Sequence, residues 1–373
     1  MAKNILLVGW CFKKLFNVRV LIVAGSYPPD KCGVGDYTAQ LANALAARPG
    51  IEVAVLTSLS AGIPSDLTEV KVFRVMQNWR LRNVLQIKQV ISKFRPDVVH
   101  IQYPTQGYNG RLPQVFPVVM RLLGFPVVQT WHEHYVECSA VNWLNLLACN
   151  GLVYVRPDLV SKLPHWIQVR LRKTPLVYIP NASTIPVARL SVEQEHSIKW
   201  ELSGGKPIVC YFGFAYPNKG VERLFTIADP SKHHLVLICD LNDEHPYQAT
   251  ILRLMEQAAW KGRVTVTGFQ SAQRVGEILA VADAVLFPFP NGAGEWNTSL
   301  KAAEEAGAFT VATTQDNDLF GYHESKNIYF ADCDQISEMQ VALHRYLGTR
   351  KKPMIKNVWE EVAMKHEQLY RTL

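Results

Sequence analysis

The chain has 373 residues, of which 48% are hydrophobic and 19% are charged, and its formal net charge is +7. At about 100–200 residues per domain this length predicts two domains, and the hydrophobic content excludes a disordered chain. The seven cysteines contain no Cys-x-x-Cys pair. We therefore expect reduced thiols rather than disulfides or a structural zinc site.

The charge is divided unevenly along the chain. Residues 1–184 hold 20 Lys and Arg against 9 Asp and Glu, a net of +11, whereas residues 185–373 hold 19 against 23, a net of −4. A basic half predicts an anionic partner. Because no nucleic-acid-binding motif accompanies the charge, an anionic membrane surface or a phosphorylated lipid is favoured over nucleic acid.

No stretch reaches the roughly 20 apolar residues that cross a bilayer. Residues 1–16 are apolar, carry three lysines and lack a small-residue cleavage site, which argues against a signal peptide. This segment is either extra sequence before the fold or a strip that lies on a membrane. We expect a cytoplasmic protein, peripheral on the inner face of the plasma membrane.

Short β-rich runs alternate with helical patterns through both halves. Strands are predicted at 18–24, 53–56, 98–101 and 127–130, with a helix at 37–47, and the pattern restarts with strands at 208–212, 235–238, 264–266 and 284–287. This alternation indicates parallel sheets covered by helices. The predicted fold class is α/β, with two Rossmann-like doubly wound domains at 1–184 and 185–356 that face a central cleft. A C-terminal helix at 357–373 is expected to pack back toward the first domain.

Ligands of open parallel sheets bind beyond the carboxyl ends of the strands. In the first half, the loop with Gly33 allows backbone N–H groups to approach a phosphate. It is not Gly-x-Gly-x-x-Gly, which disfavours a nicotinamide cofactor. His132 follows the strand at 127–130 and is suited to bond a sugar hydroxyl or to act as a base. Further candidates, expected on the acceptor side, are His100, Tyr103, Glu133 and His134.

The second half offers two more segments of this kind. Lys219 follows the strand at 208–212 and suits a diphosphate. A glycine-rich loop with Glu295 leads into a helix that Asn297 or Thr298 caps, and the N–H groups and dipole of this helix favour a phosphate. The predicted donor-binding residues are Gly33, Gly213, Lys219, Gly268, Glu295, Asn297, Thr298 and Ser299, and no metal site is predicted.

At these segments the sequence resembles the family 4 glycosyltransferases of GT-B fold, which are retaining enzymes. The resemblance covers nearly the whole chain from Val18, with runs at 18–33, 100–105, 130–133, 179–181, 217–220, 282–288, 306–313 and 359–363. It implies that the second domain binds the donor diphosphate, with Lys219 as the diphosphate lysine. It also implies that Gly33 approaches the phosphate and that His132 lies near the donor sugar. The implied substrate is an NDP-sugar, with no metal cofactor.

The sequence departs from the family pattern at two places. Phe214 stands where the family has an arginine, and Ala302 stands where it has the second of two glutamates. The first of these glutamates falls at Gly294, beside Glu295. Glu304 and Glu305 are out of register for the second, which puts ribose recognition in doubt.

We therefore predict a hexosyltransferase-type enzyme of polysaccharide or glycoconjugate biosynthesis. It would move a sugar with retention to a glycan or lipid-linked acceptor, with His132, Glu295 and Lys219 as catalytic candidates. The missing glutamate motivates one alternative, a non-catalytic sugar-nucleotide-binding or partner subunit of a glycan assembly complex. A nicotinamide oxidoreductase and a sugar-nucleotide epimerase are two further alternatives.

Overall fold

The first sheet consists of runs rich in valine, isoleucine and leucine, a composition typical of strands buried on both faces. The computed structural model describes residues 17–59, 70–105, 107–133, 140–355 and 357–373, so the N-terminal strip and His134 lie outside the described residues. The chain divides into two units, Met1–Ala182 with Asn357–Leu373 and Ser183–Lys356.

Seven parallel strands form the sheet of the first unit, in the order β3-β2-β1-β4-β5-β6-β7. They are β1 (Val18–Val23), β2 (Ile51–Ser58), β3 (Lys71–Met76), β4 (Val98–Tyr103), β5 (Val127–Trp131), β6 (Gly151–Tyr154) and β7 (Leu176–Tyr178). The helices between them are α1 (Gly33–Ala46), α2 (Val84–Phe94), α3 (Leu112–Leu122), α4 (Ala140–Leu147) and α5 (His165–Leu171). The strand order reverses between β1 and β4, and this switch point is where doubly wound sheets bind ligands.

The second unit begins with α6 (Val192–Ser203). Its start is fixed by a capping box, in which Ser191 and Gln194 each bond the other's backbone N–H, and it ends at Gly204 in the left-handed region, φ 59°. The remaining helices are α7 (Leu224–Ile227), α8 (Pro246–Met255), α9 (Ala272–Val281), α10 (Thr298–Glu305) and α11 (Ile336–Tyr346).

The sheet of the second unit has the order β10-β9-β8-β11-β12-β14-β13, with its switch point between β8 and β11. Its strands are β8 (Ile208–Phe212), β9 (His234–Ile238), β10 (Val264–Val266), β11 (Ala284–Phe287), β12 (Thr310–Thr314), β13 (Gly321–His323) and β14 (Ile328–Asp332). Of these described strands, only β13 is antiparallel to its neighbour. The α/β fold class with two doubly wound parallel-sheet domains is thereby confirmed.

The last helix, α12 (Val358–Arg371), belongs to the first unit and packs against α1. Its buried face includes Val362, Leu369 and Tyr370. A Cβ added to Gly151 on β6 would lie 2.9 Å from a methyl carbon of Leu369, so the helix sits directly on the sheet. An ion pair between Arg48 and Glu367 holds its outer side.

Candidate functional site

The loops that follow β1 and β4 touch each other at the switch point of the first unit. A Cβ added to Gly107 would lie 2.1 Å from the carbonyl oxygen of Gly25, so neither loop has room for a side chain there. The first turn of α1 also packs closely, because a Cβ at Gly35 would lie 3.2 Å from the Ser26 backbone. Gly33 differs, since a Cβ there would meet no described atom within 4 Å. Packing among the described residues therefore does not require a glycine at position 33.

His132 leaves β5 with both its backbone and its ring held. Its backbone N–H donates to the Tyr103 carbonyl at 2.9 Å, and its Nε2 lies 2.8 Å from the Gln102 amide oxygen. Since that oxygen only accepts, Nε2 carries the proton and Nδ1 is left as an acceptor. Burial lowers the pKa of His132 to about 3. The ring is therefore neutral at pH 7 and suits a hydroxyl better than it suits a phosphate.

His100, expected on the acceptor side, is fully buried on β4. Its Nδ1 lies 2.7 Å from the Tyr370 hydroxyl of α12, and its Nε2 lies 2.7 Å from the Thr130 hydroxyl and 3.3 Å from the Gln102 amide nitrogen. The amide nitrogen only donates, so Nε2 accepts and Nδ1–H donates to Tyr370. His100 thus joins β4 to α12, with no surface open to an acceptor.

The other acceptor-side candidates are spread over different environments. Tyr103 is buried, and its hydroxyl donates to the Asn142 side chain at 3.2 Å. Glu133 is exposed and pairs with Arg156 at 3.4 Å. The structure therefore does not bring Tyr103 and Glu133 to one acceptor surface.

Asp36 is a site candidate that the sequence patterns did not single out. It lies half-buried in the first turn of α1, next to Gly35, and its carboxylate has no hydrogen-bond or ion-pair partner among the described residues. Burial alone raises the pKa of this carboxyl from 3.8 to about 6. An isolated carboxylate in a ligand-binding loop is a candidate functional residue. Its only sequence signal is its place in the Gly33 loop.

The loops that follow β8 and β11 meet at the switch point of the second unit. A Cβ added to Gly220 would lie 2.3 Å from the Pro288 carbonyl oxygen, and Gly220 has φ 62°, so both packing and backbone conformation require glycine. This contact brings the adjacent Lys219 across to β11, with its Nζ 4.6 Å from the centroid of the Phe289 ring. The ammonium group is thereby held where the carboxyl ends of both central strands meet.

The N-terminus of α10 has no side-chain cap. Asn297 occupies the N-cap position, but its Oδ1 accepts from the Gly294 N–H at 2.8 Å rather than from the helix. Capping by Asn297 or Thr298, as expected from the sequence, is therefore not observed. Free N–H groups and the helix dipole at such an end favour a bound anion. Thr298 and Ser299, half-buried, form this end, and Glu295 is exposed beside it.

Two glycines predicted at the donor site have separate positions. Gly213 follows β8 with φ 144°, in a conformation that favours glycine, and lies at the switch point. Gly268 follows β10, an edge strand separated from β8 by β9. The structure thus places Gly213 with Lys219 and places Gly268 two strands away.

At the two positions that depart from the family pattern, no charged side chain replaces the arginine or the glutamate of the family. Phe214 is 39% exposed, and its ring stacks on Tyr216 with centroids 5.7 Å apart. Ala302 is buried in the core of the second unit, where a carboxylate would have no water. Glu304 and Glu305 follow it on α10, half-buried.

Among the described residues, no group of three or more His, Cys, Asp or Glu could hold a metal ion. Within the same part of the chain, no helix is both long enough and apolar enough to cross a membrane.

Comparison with known proteins finds a family match for part of the chain. Residues 32–186 match the family described as "Glycosyl transferase 4-like domain". The amino-acid sequence has no match among curated proteins.

Several solved structures share the fold over nearly the whole chain. Sucrose-phosphate synthase from Thermosynechococcus elongatus is 16% identical, with a TM-score of 0.68 over 95% of this chain and 98% of that one. The catalytic domain of starch synthase IV from Arabidopsis thaliana, bound to ADP and acarbose, is 15% identical, with a TM-score of 0.65 over 96% and 99%. HepE from Anabaena, in complex with UDP and glucose, is 16% identical, with a TM-score of 0.64 over 95% of each chain.

The resemblance to family 4 glycosyltransferases is thereby confirmed. The family match covers most of the first unit, and the shared fold covers both units. The first unit therefore carries a glycosyl transferase 4-like domain, and both units share the fold of the GT-B glycosyltransferases.

Replacing Asp36 by Asn tests whether its carboxylate is isolated. Because the folded-state pKa is raised from 3.8 to about 6, folding favours the protonated form, and stability falls as pH rises through that window. At pH 7.5, where Asp36 is ionised, the shift lowers the free energy of unfolding by up to about 3 kcal/mol. We expect Asp36→Asn to raise the thermal midpoint at pH 7.5 and to match the wild type near pH 4. The control is Asp243→Asn, because Asp243 is exposed. If Asp36→Asn were less stable than the wild type at pH 7.5, the Asp36 carboxylate would have a stabilising partner.

Proposed function

We propose that the protein transfers a hexose, with retention of configuration, from an NDP-sugar to a glycan or lipid-linked acceptor in polysaccharide or glycoconjugate biosynthesis. One observation carries this proposal: at the switch point of the second unit, Lys219 stands at the ends of β8 and β11, and β11 leads to the uncapped α10. A cation and a free helix N-terminus together suit a nucleoside diphosphate. The structures of HepE with UDP and of starch synthase IV with ADP support this assignment.

In the proposed reaction, the leaving diphosphate develops negative charge that Lys219 and the α10 N–H groups stabilise. Glu295 accepts hydrogen bonds from hydroxyls of the donor sugar. His132, being neutral, is proposed to hydrogen-bond a sugar hydroxyl. The acceptor hydroxyl attacks on the face from which the diphosphate leaves, and no protein nucleophile is assigned.

The proposed donor site uses no metal ion, because Lys219 and α10 supply the positive potential. Donor binding should therefore be the same in EDTA and in Mg²⁺. The acceptor is proposed to be anionic and lipid-linked, at the inner face of the plasma membrane, because residues 1–184 carry a net charge of +11.

The first test is a thermal-shift titration with UDP, GDP, ADP and their common sugar conjugates. A ligand that binds only the folded protein raises its thermal midpoint by mass action. We expect one base to stabilise the wild type, and Lys219→Ala to weaken its binding at least about tenfold, or ~1.4 kcal/mol. Lys261→Ala is the matched control, because Lys261 is an exposed lysine of the same unit. If no nucleotide stabilises the wild type, the donor site is wrong and the partner-subunit alternative takes its place.

A pair of glycine variants tests the role of the α1 loop. Gly33→Ala should not lower the thermal midpoint, since its Cβ would meet no described atom within 4 Å. It should also weaken binding of the selected nucleotide-sugar about tenfold, if the backbone at residue 33 approaches the phosphate. Gly25→Ala, in the same β1–α1 connection, should instead lower stability by about 1–3 kcal/mol, because its Cβ would lie 2.7 Å from the Gly107 backbone. Unchanged donor binding in Gly33→Ala would remove this loop from the donor site.

Product analysis tests the reaction and its stereochemistry. With an acceptor present, NMR of the product should show the anomeric configuration of the donor. An inverted product would overturn retention. Donor turnover would eliminate the partner-subunit alternative, and a changed sugar nucleotide in the absence of acceptor would establish the epimerase instead. A change in nicotinamide absorbance with a sugar substrate would support the oxidoreductase alternative.

A further inference from the structure

The first unit presents two different helical faces. On β1, Val20 and Ile22 point into the core under α1 and α12, whereas Leu21 and Val23 point into the core under α2 and α3. The same division holds for β6, where Val153 lies with α12 and Leu152 lies with α4 and α5. The helices α2, α3, α4 and α5 therefore cover one face of the sheet, and we call them the helical layer.

The helical layer contains no acidic residue. None of the four helices carries an Asp or a Glu, whereas α2, α3 and α5 carry Lys88, Lys93, Arg121 and Arg170. The opposite face is different, because α1 carries Asp36 and α12 carries Glu360, Glu361 and Glu367. Thus the helices with only basic charge are confined to one side of the sheet.

The connections add to this charge. Arg172 and Lys173 follow α5 directly, and both are exposed. Asp158, in the connection before α5, pairs with Lys162 at 2.6 Å and with Arg156 at 3.4 Å, so its charge is neutralised locally. The end of α5 is therefore the most basic part of the layer.

Each helix of the layer also exposes a large apolar side chain. Leu122 at the end of α3 is 83% exposed, and Trp166 on α5 is 53% exposed. Leu85 on α2, Leu144 on α4 and Val169 on α5 are exposed as well. The Trp166 ring contacts Trp143 of α4, which joins the two neighbouring helices at this surface. On α2, Leu85 lies with Lys88 and Lys93 around one shallow depression.

From this combination we infer that the helical layer is the surface by which the protein docks on an anionic lipid bilayer. Basic side chains are attracted to anionic headgroups, and helices lying in the interface bury leucine and tryptophan beside them. The exposed apolar residues are distributed over four helices rather than gathered in one groove, which fits a fluid interface better than a protein partner. The inference deepens the proposed function and rests on it, because such a membrane would carry the lipid-linked acceptor.

The test is co-sedimentation of the full chain with vesicles of phosphatidylcholine, with and without about a quarter phosphatidylglycerol. We expect the wild type to bind the anionic vesicles at least about tenfold more tightly, and to be released by high salt. The triple variant Arg170→Glu, Arg172→Glu and Lys173→Glu should lose at least about tenfold in binding. Trp166→Ser should lose several-fold, roughly the contribution of one interfacial aromatic side chain.

The matched control is Trp200→Ser, because Trp200 is 63% exposed on α6 of the second unit. It should bind vesicles as the wild type does. Equal binding of neutral and anionic vesicles, or wild-type binding by the triple variant, would overturn the inference. The inference would also be overturned if the protein bound heparin as tightly as anionic vesicles and independently of Trp166, because that result indicates a general polyanion site. Nucleotide titration of the same samples, which depends on Lys219, reports separately on the proposed function.

Discussion

At each switch point, two loops approach so closely that no Cβ fits between them. In the first unit the contact joins Gly25 and Gly107, and in the second it joins Gly220 to the Pro288 carbonyl. In a doubly wound sheet, the connections that leave the two strands at this point diverge, because they cross to opposite faces of the sheet. The contacts draw the diverging loops together, so that Lys219, carried by one loop, reaches Phe289 on the other. The candidate donor-binding residues therefore depend on backbone packing for their positions.

In the first unit, a chain of buried hydrogen bonds holds the candidate residue His132 in position. Tyr370 of α12 bonds His100, His100 bonds Gln102, and Gln102 bonds His132. Desolvation is the main cause that lowers the pKa of both histidines. Each ring is therefore neutral with one defined tautomer. The last helix thus takes part in orienting His132, although it lies more than two hundred residues away in sequence.

The sequence allowed the fold to be predicted because its signals are local. Buried strands such as β1 and β8 appear as apolar runs, whereas β3, which carries Lys71 and Arg74, and the three-residue β7 gave no such signal. Candidate residues at strand ends were found by the same logic. What the sequence did not show was burial: His100 and His132 both stand at or near strand ends, yet only the tertiary packing with α12 makes His100 a core residue. Asp36 was missed for the same reason, since its isolation is a property of the packed loop.

The departures at Phe214 and Ala302 have an electrostatic consequence for the donor site. A hydrogen bond to a charged group contributes about 1.5–3 kcal/mol, so at the proposed donor site the lack of an arginine at position 214 is expected to lower diphosphate affinity by roughly one order of magnitude or more. Lys219 and the uncapped α10 are then the main sources of positive potential identified among the described residues of this site. Basic charge is instead concentrated on the first unit, where the four helices of the helical layer, unlike α12, carry no acidic residue to offset it. A surface of this kind raises the local concentration of an anionic acceptor rather than the affinity for the donor. Under the proposed function, this charge distribution would favour capture of an anionic acceptor over binding of the donor.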